Sequence, residues 1–91
     1  MKDKITITKR QREVIRLTSL GCTIDEIASI LGVSRNTVDN HRSRAMSHLG
    51  IRRLALLTRY ANKEGISPMD DKLTAEEAAR LHRIPGILVA P

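Results

Sequence analysis

The chain has no phenylalanine and no tryptophan, and its one aromatic side chain is Tyr60. Aromatic platforms for stacking unpaired bases are therefore missing, which argues against single-stranded nucleic acid as a ligand. Cysteine occurs once, at Cys22, so no internal disulfide forms and the fold does not depend on an oxidising compartment. No apolar run approaches the roughly 18 residues of a membrane span. The basic start Met1-Lys2-Asp3-Lys4 is not followed by an apolar stretch of signal-peptide length. With 91 residues, the chain is expected to be one small soluble, intracellular protein. A domain of this size buries only about 60% of its unfolded surface, which leaves little room for an enclosed substrate cavity.

What the chain does have is positive charge: 16 Lys and Arg against 10 Asp and Glu, a formal +6 and a pI near 10.3. Such a balance favours a polyanionic partner. The charge is unevenly spread, with 13 Lys/Arg and 6 Asp/Glu (+7) in residues 1–65 and 3 against 4 (−1) in residues 66–91. Together with the lack of aromatics, this points to duplex DNA bound by the first segment. We therefore divide the chain into a binding domain over residues 1–66 and a C-terminal extension over 67–91 with one short helix.

Turn signals at Gly21, Gly32, Gly50 and Gly65 separate short amphipathic patterns. Thr8 and Gln11 have capping-box spacing, and Val14, Ile15, Leu17 and Leu20 then mark a buried stripe. Thr23 and Glu26 repeat the box before a second helix whose inner face is Ile27, Ile30 and Leu31. Ser34 is a good N-cap for a third helix over about 34–49, with Val38, His41, Ala45 and Leu49 turned inward. A fourth helix runs from about Arg53 to Lys63, with Leu54, Leu57, Thr58 and Ala61 as its inner stripe. In the extension, Thr74 and Glu77 form a third box, and a helix is expected from about Thr74 to Arg83 with Ala78, Leu81 and Ile84 on one face.

A short helix, a glycine turn and a longer helix with a polar outer face is the plan of a helix-turn-helix. The outer face of the third helix carries Asn36, Asn40, Ser43 and Ser47 within a sector of about 60°. These side chains are slim, uncharged and able to bond base edges in the major groove. The cap residues Thr23 and Ser34 and the cations Arg35, Arg42, Arg44, Arg52 and Arg53 are suited to the phosphate backbone, together with the unpaired N–H groups of the helix starts.

These stretches resemble the LuxR/FixJ-type DNA-binding domain, and in particular its small free-standing, GerE-like members. The resemblance rests on Ile7-Thr8-Lys9-Arg10-Gln11-Arg12-Glu13-Val14-Ile15, Gly21-Cys22-Thr23-Ile24-Asp25-Glu26-Ile27-Ala28 and Leu31-Gly32-Val33-Ser34-Arg35-Asn36-Thr37-Val38. Asn40-His41, Leu49-Gly50-Ile51 and Arg52–Ala61 continue it. It implies an all-α, four-helix domain whose third helix enters the major groove and whose fourth supports a two-fold dimer. By the same resemblance, Thr37 would bond a phosphate, Asn40 and Ser43 would face bases, and Arg44 would lie beside the backbone. Two positions depart from the family pattern: Asp39 stands where Lys or Arg is usual, and Ala45 replaces a larger aliphatic.

The expected activity is thus a bacterial, sequence-specific transcriptional regulator that binds double-stranded DNA as a homodimer in the nucleoid, with RNA polymerase as a candidate partner. No cofactor and no membrane partner are expected. Nothing at His41, His48 or Cys22 has metal-site spacing, and no oxyanion donors or orienting carboxylate accompany the serines, so neither a metal site nor catalysis is expected. Two other readings compete: a sigma-factor region-four-like promoter-binding module, and a helical module whose basic face meets an acidic protein. Leu56 and Tyr60, four apart, are read as a locally apolar surface, a dimer seam or a docking place for the apolar end Ile87-Leu88-Val89-Ala90-Pro91. The chain is either free-standing or part of a receiver- or sensor-linked regulator.

Overall fold

The computed structural model describes residues 7–81, which form five α-helices and, among those residues, no strand. They are α1 (Lys9–Ser19), α2 (Ile24–Leu31), α3 (Arg35–Leu49), α4 (Leu54–Lys63) and α5 (Ala75–Leu81). The all-α plan of four helices plus one C-terminal helix is therefore the observed one. The Arg83 end expected for α5, Ile84 and the segment Ile87–Pro91 lie outside the described residues.

Local chemistry sets the helix starts. The Thr8 hydroxyl accepts from the Gln11 N–H at 3.0 Å while Gln11 Oε1 accepts from the Thr8 N–H at 2.9 Å. Thr23 with Glu26, and Thr74 with Glu77, close the same reciprocal box. Each box satisfies two backbone donors that a helix start leaves without partners. Gly32 and Gly50 end α2 and α3 in the left-handed region, at φ 70° and 69°, where a side chain would be strained.

Two hydrophobic clusters share α1 and α3. Val14, Leu17, Ile27, Ala28, Ile30, Val38 and Leu81 form one, joining α1, α2, α3 and α5. Ile15, Ala45, Leu57, Ala61 and Ile66 form the other, joining α1, α3 and α4. Ala45 is fully buried at the second, so a small side chain is what allows α3 to seat beside Ile15 and Leu57. One expectation fails here. Leu54, placed on the inner stripe of α4, is 47% exposed. It is the first residue of its helix, one turn before Leu57, where the buried stretch of α4 begins.

The extension is tied to the same core. Leu81 is buried in the first cluster, with Leu73 packed against it, and α5 rests on α2. Polar contacts reinforce the seat: Ser29 Oγ donates to the Arg80 carbonyl at 3.2 Å, and Arg80 Nη1 donates to the Ile30 carbonyl. From α1, Arg16 reaches across to Asp71 (Nε–Oδ2 2.9 Å), Glu77 (Nη1–Oε2 2.8 Å) and the Lys72 carbonyl (2.9 Å). The hydrogen bond from Arg16, helped by that from Ser67, holds the Asp71 carboxyl below its ordinary range against the effect of burial. Burial pushes Glu77 upward, but Arg16 and the Thr74 cap outweigh it, and its pKa too is lowered. The described part of the extension thus meets α1 and α2, and Ser67 N–H donates to the Ala61 carbonyl of α4 at 3.1 Å.

Cys22 is half-buried in the turn after α1, and burial, with the nearby Glu26 carboxylate second, pushes its thiol up to about 11. Since the thiolate is the reactive form, alkylation by iodoacetamide at pH 8 is expected to run about two orders of magnitude slower than for a free cysteine. Addition of denaturant should abolish the difference, whereas fast labelling of the folded protein would contradict this seat for Cys22.

Candidate nucleic-acid interface

The helix α3 is held on one side only. Val38 and Ala45 are fully buried against the two clusters, while Asn36, Asn40, Ser43 and Ser47 are all exposed on the opposite side. The inward positions His41 and Leu49 are half-buried. Because α2 and α1 both pack on α3, the outer face is presented on a braced rod and not on a loop. At its start, Ser34 Oγ accepts from the Thr37 N–H at 3.1 Å, and the Ser34 and Thr37 hydroxyls lie 2.9 Å apart. Only one of those two hydroxyl protons is used between them, so the other remains available to an acceptor. Thr23, exposed at the start of α2, uses its oxygen to accept from Glu26 N–H and keeps its own proton free for the same purpose.

The five arginines expected at the backbone divide into two groups. Arg35 pairs with Asp25 of α2 at 2.6 Å, and Arg42 lies 3.8 Å from Asp39 one turn earlier. Arg44, Arg52 and Arg53 are exposed and have no ion pair among the described residues. Of these five, those without an ion pair among the described residues therefore lie on the second half of α3 and the loop into α4, while Arg35 and Arg42 each have an acid beside them. Asp25 was missed by sequence reading. It stands ten positions before Arg35 on a different helix, and no local pattern announces such a pair.

On α4, Leu56 is 46% exposed, whereas Tyr60 is half-buried and packs against the second cluster. The pair is therefore not a uniform exposed patch; Leu54 and Leu56 are the apolar side chains that α4 shows to solvent. Among the described residues there is no group of three or more His, Cys, Asp or Glu placed to hold a metal ion. No described helix is long and apolar enough to cross a membrane.

Residues 6–61 match the GerE family model, described as bacterial regulatory proteins of the luxR family. The chain is 47% identical over 51 residues to the spore germination protein GerE of Bacillus subtilis, covering 56% of this chain and 69% of that protein. It is 38% identical over 60 residues to the transcriptional regulatory protein MctR of Rhizobium johnstonii, covering 66% of this chain and 28% of the relative. Over 66 residues it is 32% identical to the regulatory protein SdiA of Escherichia coli, again 28% of the relative's length. The match thus spans about two thirds of the small relative and under a third of the longer ones, and the extension that carries α5 lies beyond the family match.

Proposed function

Because the chain belongs to the luxR family of bacterial regulatory proteins, we propose that it is a transcriptional regulator that binds double-stranded DNA sequence-specifically. In this reading α3 lies in the major groove and two copies act as a homodimer in the cytoplasm, at the nucleoid. The observation that carries it is the exposed, uncharged Asn36/Asn40/Ser43/Ser47 face on a braced helix, with Arg44, Arg52 and Arg53 exposed and without an ion pair among the described residues. Amide and hydroxyl groups suit base edges, and unpaired guanidinium groups suit phosphates. Thr23 and one hydroxyl of the Ser34/Thr37 pair add free donors at two helix starts, where the dipole favours an anion. The solvent-facing Leu56 of α4, with the partly exposed Tyr60 one turn on, supplies the apolar seam for a two-fold partner. The division into a DNA-binding domain over 1–66 and an extension over 67–91 is a functional one, since residues 67–81 share the core of the first segment.

Two sets of variants separate reading from anchoring. Asn40→Ala with Ser43→Ala should flatten the base preference obtained by selecting bound sites from random duplexes, while binding to unrelated duplex persists. Arg44→Ala or Arg52→Ala should instead weaken binding to every sequence and lower the salt slope by about 1 each. A preference that survives the Asn40/Ser43 change would remove α3 as the reader. The stoichiometry of the complex in the same gels tests the dimer.

A further inference from the structure

One edge of α3 carries Arg35, Asp39 and Arg42, with Asp25 of α2 paired to Arg35. Two acids meet two bases, so this edge contributes no net attraction for phosphate. Asp39 and Arg42 are nevertheless placed unequally. The Asp39 side chain is 57% exposed and that of Arg42 only 18% exposed, so the carboxylate projects into solvent with the guanidinium set behind it, 3.8 Å away. Asp39 also lines an open cleft with Ile24, Arg35 and Asn36. Around the helix it lies about 40° from Ser43 and about 60° from Asn36, at about 100° per residue, so it borders the exposed Asn/Ser sector.

An ionised carboxylate only accepts hydrogen bonds. In the major groove, guanine offers two acceptors and thymine offers one beside a methyl group, so both repel it. Adenine sets its amino donor beside the N7 acceptor, whereas cytosine presents an amino donor alone. A carboxylate at this edge therefore takes one base and rejects the others, and rejection contributes to specificity as much as attraction does. On the regulator reading above, we propose that Asp39 determines specificity by selecting a C·G pair at one position of the site through the cytosine amino group. Arg42, set behind it, offsets the repulsion between that carboxylate and the neighbouring phosphates.

The test uses the full chain and selection from random duplexes for the wild type, Asp39→Ala and Asp39→Asn. The wild type is expected to prefer cytosine at one position by roughly 5- to 150-fold over the other bases. Asp39→Ala should bring the four bases at that position to within a few-fold of one another, leave the remaining positions unchanged and tighten binding to unrelated duplex. Asp39→Asn should shift that position towards adenine, which an amide bonds in bidentate fashion. If Asp39→Ala tightens binding to all sequences by one common factor and leaves every base preference in place, the acid acts only on phosphate and the inference is overturned. A wild type that selects no sequence overturns the regulator reading, and the inference with it. Since Asp39 is exposed, the melting curves of the variants should overlay that of the wild type.

Discussion

Arg16→Ala is expected to lower the unfolding free energy by roughly 2–3 kcal/mol, read as a shift of the urea midpoint at pH 7. Removing one member of a buried ion pair typically costs about 3–5 kcal/mol, because the charge left behind has lost its compensation. The lower figure applies for two reasons. About a fifth of each side chain in this cluster is exposed. The carboxylates also keep other donors, since Asp71 still accepts from Ser67 Oγ and the Lys72 N–H, and Glu77 from the Thr74 N–H. Arg16→Lys should recover only part of the loss: a point charge on a flexible stem cannot fork between Asp71, Glu77 and the Lys72 carbonyl.

The same cluster has a pH signature. Both carboxyl groups have a lower pKa folded than unfolded, so their contribution is fully present above about pH 4 and is lost as pH falls through the folded values. The wild-type midpoint should therefore drop more steeply below about pH 4 than that of Arg16→Ala. Parallel curves would show that the cluster does not couple α1 to the extension.

Leu81→Ala is expected to cost about 2–4 kcal/mol by the same urea measurement. The side chain is only 5% exposed and fills the space between α1, α2 and α3 beside Val14, Leu17, Ile27 and Val38. Truncating a buried leucine loses transfer free energy and leaves a cavity that neighbours close only in part. A control at the exposed Ala79, changed to Ser, should stay within about 0.5 kcal/mol. Truncation after Gly65 should do more than either substitution, because it removes Ile66, Leu81 and all the partners of Arg16 together. An unchanged midpoint after that truncation would mean that α1 to α4 are self-sufficient. The expected loss instead makes residues 67–81 part of the folding unit, although they lie outside the stretch shared with the luxR family.

How legible these features are in the sequence depends on the distance over which each is encoded. The starts of α1, α2 and α5 follow from Thr8/Gln11, Thr23/Glu26 and Thr74/Glu77, since a cap is closed within three residues. The buried stripes of α1 to α3 follow from the 3.6-residue period, and the outer face of α3 is what remains once Val38 and Ala45 are turned inward. Leu54 shows the limit of that argument. Periodicity assigns a residue to a side of its helix, but a neighbour must extend far enough to cover it.

By itself, then, the sequence determined the helices, their order, their family and the small uncharged face that α3 shows to solvent, because capping and amphipathicity are properties of one or two turns. Only the tertiary structure decided where the extension sits and which charges remain unspent. Arg16 meets acids 55 and 61 positions away, and Arg35 is taken up by Asp25 on another helix. Neither pairing has a local signal, because ion pairs between elements depend on where packed helices bring their side chains. The net positive charge pointed to a polyanion. Packing then left Arg44, Arg52 and Arg53 as the cations beside α3 with no ion pair among the described residues.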